Sequence, residues 1–346
     1  MGDHTDYNGG FVLPLAIDRE CVVTLETTHD GVVRAVSLDL PGTLSVASDG
    51  SDEPRTVEPA WGRFVAGVVQ QITAHGGELA GVELVLSTTL PIGSGLSSSS
   101  ALTVACTLAL AHDANLSLGL TELAQLALDA EVAATGVPGG LMDQLCSLYG
   151  EAGHALLIDC RALTVTPVPL PPGIAVLVVH SGVPRTLVGS EYAARRAECE
   201  AIASRLGLTS LRDATLEQVA HEPRARHVVS ENARVLATVD ALRARDLGAL
   251  GALLLASHAS LRDEYDVSTP ELDVLVELLV DNGAAGARLT GAGFGGCVVA
   301  LVQRNHADNV AAKAARSYEA ATGLVATAFV VHAVDGAGEI PGAATA

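Results

Sequence analysis

The chain has 346 residues, 49% of them apolar, which is enough to bury a large core and to form about two domains. Against 20 basic residues stand 40 acidic ones, and the formal charge of −20 excludes electrostatic attraction to nucleic acid or to an anionic membrane surface. No apolar run approaches the length of a membrane span, and Met1-Gly-Asp-His-Thr-Asp6 lacks the basic and apolar regions of a signal peptide, so the sequence predicts a soluble, cytoplasmic protein.

The first part of the chain predicts strands over residues 11–17, 21–26 and 32–38, an acidic turn-rich loop over 47–54, a helix over 61–75 and a strand over 82–87. The small-residue run Pro91-Ile-Gly-Ser-Gly-Leu-Ser-Ser-Ser-Ser100 then feeds an apolar helix over 101–111. A helix over 121–134 leads to the turn Gly136-Val-Pro-Gly-Gly140, a short apolar helix from Leu141 and a strand over 154–158. The proline-rich stretch 167–172 reads as a domain boundary, giving domains of 1–172 and 173–346.

The second half opens with a strand over 174–180 and continues with helices over 190–206, 226–243, 247–263 and 270–281. Strands over 287–290 and 297–302, a helix over 306–321 and a strand over 325–334 follow, and the small-residue tail 336–346 reads as frayed. The lone lysine, Lys313, falls in the penultimate element on a pattern that predicts a solvated surface. The six cysteines, Cys21, Cys106, Cys146, Cys160, Cys199 and Cys297, have no C-x-x-C or metal-ligand spacing and read as reduced core thiols.

In Gly93-Ser-Gly-Leu-Ser-Ser-Ser-Ser100 the glycines let backbone approach a ligand, and the serines sit where a helix dipole is positive, so the loop can bind phosphate without lysine. A turn that merely caps the helix is equally compatible with these residues. No Walker A loop occurs. Gly291-Ala-Gly-Phe-Gly-Gly296 matches G-x-G-x-x-G by letter, but an apolar strand follows where a dinucleotide-binding fold needs a helix, and the oxidoreductase reading is rejected. It reads as a tight loop, packed on a ligand or on another loop.

Asp3-His4-Thr5-Asp6-Tyr7-Asn8 concentrates hydrogen-bonding side chains before a strand, as a hydroxyl-rich sugar requires; metal binding and a solvated turn are the alternatives. Asp143 places a carboxylate in the apolar segment 141–148, either as a base or as a helix-start residue favoured by the dipole. Glu131, near the end of its helix, is poorly placed for the dipole and reads as a Mg²⁺ ligand or a solvated surface residue.

Together these residues resemble the galactokinases, members of the GHMP small-molecule kinase superfamily, through ordered motifs spanning nearly the whole chain. Gly2-Asp3-His4-Thr5-Asp6-Tyr7-Asn8 is similar to the family's G-E-H-T-D-Y-N, with Asp3 in place of Glu. Pro91 to Ser99 is similar to P-x-x-x-G-L-S-S-S, Gly136 to Gln144 to G-V-P-C-G-I-M-D-Q with Gly139 for Cys, and Leu289 to Gly296 to a further family glycine loop. Two other segments, 190–199 and 257–268, also match. Ser100 and Thr103 stand where the family usually has Ala and Glu, and Val132 where a polar residue is common.

The resemblance implies a two-domain α+β GHMP kinase fold, with an N-terminal domain of the ribosomal protein S5 type and a ferredoxin-like C-terminal domain. It implies a monomeric kinase that phosphorylates galactose with ATP and Mg²⁺. Sugar contacts are implied for Asp3, His4, Asp6, Gly140 and Tyr192, with Asp143 as the catalytic carboxylate. Trp61 is implied for the adenine, Gly93, Gly95, Ser97, Ser98 and Ser99 for the phosphates, and Ser97 with Glu131 for the metal. The family pattern G-R-x-N-x-x-G-E-H also carries an arginine that would lie before Met1. Its expected absence leaves a non-catalytic galactose- and ATP-binding regulator as an alternative, beside a kinase of N-acetylgalactosamine or arabinose.

Overall fold

In the computed structural model, which describes residues 1–183 and 188–340, the chain begins with β1 (Phe11–Val12), β2 (Cys21–Thr27), β3 (Val32–Ser37) and β4 (Thr43–Ala47), and continues with α1 (Gly62–Ala74) and β5 (Val82–Thr88). Then come α2 (Ser98–Asp113), α3 (Leu120–Thr135), α4 (Met142–Tyr149), β6 (His154–Asp159), β7 (Thr164–Pro169) and β8 (Ile174–His180). The remainder is α5 (Val188–Arg205), α6 (Pro223–Ala244), α7 (Leu247–Asp263), α8 (Pro270–Asp281), β9 (Gly286–Leu289), β10 (Cys297–Gln303), α9 (Ala307–Thr322) and β11 (Thr327–Val331). Residues 341–346 of the tail expected to fray lie outside the described residues.

These elements form two units, each discontinuous in sequence. One comprises Met1–Asp18, Ile92–Ser97 and Glu151–Val334; the other comprises Arg19–Pro91, Ser98–Gly150 and the described residues from Asp335 on. The single boundary expected at 167–172 does not separate them. Residues 164–169 are instead β7, the edge strand of the sheet β1-β6-β7 in the first unit. An edge strand tolerates Pro167 and Pro169 because it lacks a partner on its outer side.

In the second unit the sheet order is β2-β5-β3-β4, with β5 parallel to β3 and the other pairs antiparallel. Residues alternate between buried and exposed along β4 and β5, and Leu44, Val46, Val82, Leu84 and Leu86 face the core. The helices α1, α2 and α3 pack on one another, α4 packs on α2 and α3, and α2 lies along β2. The crossing of α1 and α3 is close: a Cβ on Gly67 would stand 2.4 Å from the Ala130 carbonyl oxygen.

The first unit holds the antiparallel sheet β11-β8-β10-β9. Its core joins Leu177, Val179, Leu289 and Val298 to Leu272, Leu275 and Leu279 of α8 and to Val310, Ala314 and Tyr318 of α9. Two helices here begin on strong signals. The Asp246 carboxylate accepts the Ala249 N–H at the start of α7, and the Thr269 hydroxyl accepts the Leu272 N–H at the start of α8, with Pro270 following. Ala155 and Val168 of the smaller sheet, with Leu13 just after β1, pack against Val235, Val239 and Leu242 of α6.

None of the six cysteines forms a disulfide; four are buried and Cys21 and Cys160 half-buried, and Lys313 is exposed. Among the described residues no helix is long and apolar enough to cross a membrane. Because Gly67 permits the α1–α3 contact, Gly67→Ala is expected to cost about 1–3 kcal/mol of unfolding free energy through overpacking. Urea denaturation measures it, and an unchanged midpoint would contradict the close approach.

Candidate functional site

The N-terminal polar motif is a folded turn. Residues Asp6–Asn8 form a 3-10 turn closed by Gly9, and the Thr5 hydroxyl lies 2.7 Å from both the Gly2 and the Phe11 carbonyl oxygens. The Asn8 side-chain amide donates to the His4 carbonyl at 2.9 Å, and Arg212 donates to the Gly9 carbonyl at 2.9 Å. These bonds leave Asp3 and His4 buried and Asp6 half-buried.

His4 lies in an aromatic cluster with a single consistent direction of hydrogen bonding. Its Nε2 is 3.3 Å from the Ala292 carbonyl, which only accepts, so the proton is on Nε2 and Nδ1 accepts from the Tyr7 hydroxyl at 2.9 Å. The Tyr265 hydroxyl then donates to Tyr7 at 2.7 Å, and the Cys199 thiol to Tyr265 at 3.2 Å. Burial lowers the His4 pKa to about 3, fixing the neutral ring. Tyr192, on α5, stands with its ring centroid 5.5 Å from His4 and 5.3 Å from Tyr7.

Asp3 is anchored from below. One of its oxygens accepts from the Arg288 guanidinium and the other from the Gly291 N–H at 2.7 Å. Arg288, 1% exposed on β9, also stands 3.5 Å from Glu231 of α6, which is fully buried. Glu231 accepts the Gly2 N–H at 3.0 Å, the Ser257 hydroxyl at 2.7 Å and Arg234 at 2.6 Å. Burial, the largest influence on both carboxyls, would raise their pKa values, but the positive neighbours acting together, Arg288 foremost, with the N-terminal ammonium beside Asp3 and Arg234 beside Glu231, hold both below the ordinary carboxylate range. Beside them, burial lowers His227 to about 4.

The glycine run before β10 forms the loop joining antiparallel β9 to β10, as a tight loop and not as the start of a helix. Gly293 has φ +81°, and a Cβ there would stand 2.3 Å from the Val267 carbonyl oxygen, which also accepts the Phe294 N–H at 2.8 Å. Arg195 of α5 bonds the Tyr265 carbonyl at 3.0 Å and the Asp266 carbonyl at 2.9 Å, and lies 5.9 Å from the Phe294 ring centre. The loop that faces Val267 is therefore packed on a second loop. In the other small-residue run, Gly93, Gly95 and Ser97 all adopt left-handed backbone, at φ +73°, +89° and +55°, and Ser98 begins α2.

A carboxylate cluster lies at the start of α2 in the second unit. Glu131 of α3 accepts from Ser99 at 2.6 Å through Oε1, and from Ser100 and the Gln144 amide, each at 2.9 Å, through Oε2. Burial raises the Glu131 pKa, and the negative charge of Asp143, in the first turn of α4, adds to the rise. The Gln144 Oε1 is buried with no hydrogen-bond partner among the described residues.

Among the described residues no three His, Cys, Asp or Glu side chains are placed to hold a metal by themselves. Mg²⁺ does not need such a cage, because it takes one or two carboxylates together with waters and substrate phosphates. The oxygen donors of Glu131 and Ser99 fit that requirement.

The expected residues thus fall into two groups. Asp3, His4, Asp6 and Tyr192 are gathered in the first unit, where Gly93, Gly95 and Ser97 also belong. Ser98, Ser99, Glu131, Gly140 and Asp143 belong to the second, as does Trp61, whose buried indole N–H donates to the Pro41 carbonyl at 3.0 Å. Sequence reasoning missed Arg288, Tyr265, Ser100 and Gln144 as partners. No sequence signal marks Arg288, because a charged residue reads as exposed, whereas the structure buries every position of β9.

Removing the Arg288 charge leaves Asp3 buried without its guanidinium and Glu231 with Arg234 as its remaining ion pair. Arg288→Met should cost about 3–5 kcal/mol of stability; a loss in urea denaturation no larger than that of a surface substitution would contradict this balance. His4 and His227 give a second expectation. Both have folded pKa values below the ordinary 6.5, at about 3 and about 4, so the unfolded chain binds protons first. Stability is full above pH 6.5 and falls as pH drops toward 4, by up to about 1.4 kcal/mol per pH unit for each ring. Urea midpoints between pH 7 and pH 5 test it, and a flat profile would contradict buried neutral rings.

Comparison with known proteins matches this geometry to one family. The chain matches the family models described as GHMP kinases N terminal domain over residues 63–151 and GHMP kinases C terminal over 238–320, and the Galactokinase galactose-binding signature over 1–27. A galactokinase of Roseiflexus sp. (strain RS-1) is 43% identical over 98% of this chain and 90% of its own. The crystal structure of Lactococcus lactis galactokinase complexed with galactose superposes with a TM-score of 0.92 at 32% identity, covering 98% of this chain and 92% of that one. Methanococcus jannaschii mevalonate kinase shares the fold, with a TM-score of 0.69 at 18% identity over 96% and 95% of the two chains. The fold is that of the GHMP kinases, and identity this high across nearly the whole length means that the chain belongs to the galactokinase family.

Proposed function

We propose that this chain phosphorylates galactose with ATP, forming galactose 1-phosphate and ADP. The observation that carries the reading is the carboxylate and hydroxyl cluster at the start of α2, where Ser99 and Ser100 meet Glu131 beside Asp143. Phosphoryl transfer asks mainly for positioning, neutralisation of charge and a base for the acceptor hydroxyl.

In this reading the backbone of Gly93 and Gly95 and the hydroxyls of Ser97, Ser98 and Ser99 take the phosphates. The positive end of the α2 dipole favours them. Trp61 lines the adenine site. Bound with the nucleotide, Mg²⁺ supplies neutralisation of the phosphate charge, and Ser97 and Glu131 would hold it. Asp6 and Tyr192 meet the hexose from half-exposed positions, while Asp3 and His4 set its site from beneath through the bonds described above. Gly140 offers backbone to the sugar. Asp143 accepts the proton of the anomeric hydroxyl as its oxygen bonds to the γ-phosphorus and ADP departs. Six thiols outside any disulfide support a reducing, cytoplasmic location.

Asp143→Ala should lower turnover of galactose by about 10²–10⁴-fold, the span of general-base contributions, while ATP still binds. Coupled detection of ADP release measures it, with N-acetylgalactosamine and arabinose as comparison acceptors. Near-normal turnover in the variant would remove Asp143 from the role of base, and a preference for either comparison sugar would overturn galactose as substrate.

A further inference from the structure

The two oxygens of the Glu131 carboxylate are not equivalent. A carboxylate offers about four lone-pair positions, two on each oxygen. On Oε2 both are taken, one by Ser100 and one by the Gln144 amide at 2.9 Å each, whereas among the described residues Oε1 receives only Ser99, at 2.6 Å. One position therefore stays open, and it is on Oε1.

Gln144 is held for this purpose at an evident cost. It is 1% exposed at the start of α4, and its own Oε1 is buried with no hydrogen-bond partner among the described residues. An apolar side chain of the same length would avoid that unsatisfied acceptor. The one bond that Gln144 is shown to make with its side chain goes to Glu131.

We propose that Gln144, with Ser100, is a positioning residue that closes Oε2 of Glu131 and leaves Oε1 as a single ligand position, so that the site takes Mg²⁺ in preference to Ca²⁺. Mg²⁺ demands near-ideal octahedral geometry and accepts one carboxylate oxygen, while Ca²⁺ takes six to eight oxygens and readily chelates both oxygens of a carboxylate. Bidentate binding of Glu131 would first have to break the Ser100 and Gln144 bonds. The inference rests on the reading of Glu131 as a cation ligand and goes beyond it in assigning ion choice to two residues that do not themselves touch the ion.

The test is calorimetric titration of the whole protein with the Mg²⁺ and Ca²⁺ complexes of the non-hydrolysable β,γ-imido analogue of ATP. Gln144→Met is expected to narrow the ratio of the two affinities by about tenfold, the lower end of losses seen when groups behind a metal ligand are changed. Ser100→Ala should shift it in the same direction, and decides the matter if Gln144→Met does not fold. An unchanged ratio in these variants overturns the inference. Glu131→Gln separates the two levels. If it leaves the Mg²⁺ complex bound as tightly as before, Glu131 is not a ligand and both readings fall. If it weakens that complex while the ratio in Gln144→Met and Ser100→Ala stays fixed, only the selectivity inference falls.

Discussion

Arg288 occupies the interior of the first unit with 1% of its surface exposed, and a guanidinium cannot remain there without compensation. Asp3 and Glu231 supply the opposite charge, and Arg234 supplies a second positive group on the far side of Glu231. The four charges balance. Meeting that requirement draws the N-terminal turn, β9 and α6 to one point, and Ser257 adds α7. The same Asp3 takes the Gly291 N–H, so the orientation of the glycine loop before β10 is set by the balance of charge beneath it. The shape of the polar turn thus depends on an ion pair that joins residues 285 positions apart.

How much of this was legible varies with the physics of each segment. The helices over 247–263 and 270–281 were read at their observed limits because capping residues and Pro270 punctuate them in the sequence itself. The strand expected over 11–17 shrinks to Phe11–Val12, since Pro14 cannot donate to a ladder. β4 and β7 were missed for related reasons. β4 is short and rich in polar residues on its outer side, and β7 contains two prolines that an edge position tolerates. The motif residues were found by letter, but Arg288 was not, because a charged residue reads as exposed until its partners from elsewhere in the chain are known. Gln144 was visible within its motif, yet its bond to Glu131 required α3 and α4 to be packed together.

The overall charge of −20 opposes the approach of a nucleotide, so the proposed chemistry depends on local compensation. Many arginines of the first unit are committed to ion pairs, with Arg212 on Asp159, Arg226 on Glu264, and Arg195 and Arg224 on Asp266. What the glycine and serine run before α2 offers the proposed nucleotide instead is backbone N–H, hydroxyl and the end of a sixteen-residue helix, groups with partial charge and fixed direction. They discriminate by geometry more than by field strength, which suits a reaction whose main demand is alignment.

The relay from Cys199 through Tyr265 and Tyr7 to His4 has every proton assigned by its neighbours, and its terminal ring stays uncharged down to about pH 3. A surface set by such an array presents dipoles and no titrating charge at this point. Docking of a neutral polyol against it would neither take up nor release a proton there. Recognition by His4 would then be thermodynamically uncoupled from the acidity of the surrounding solution, leaving proton exchange to the step at which a hydroxyl becomes a phosphate ester.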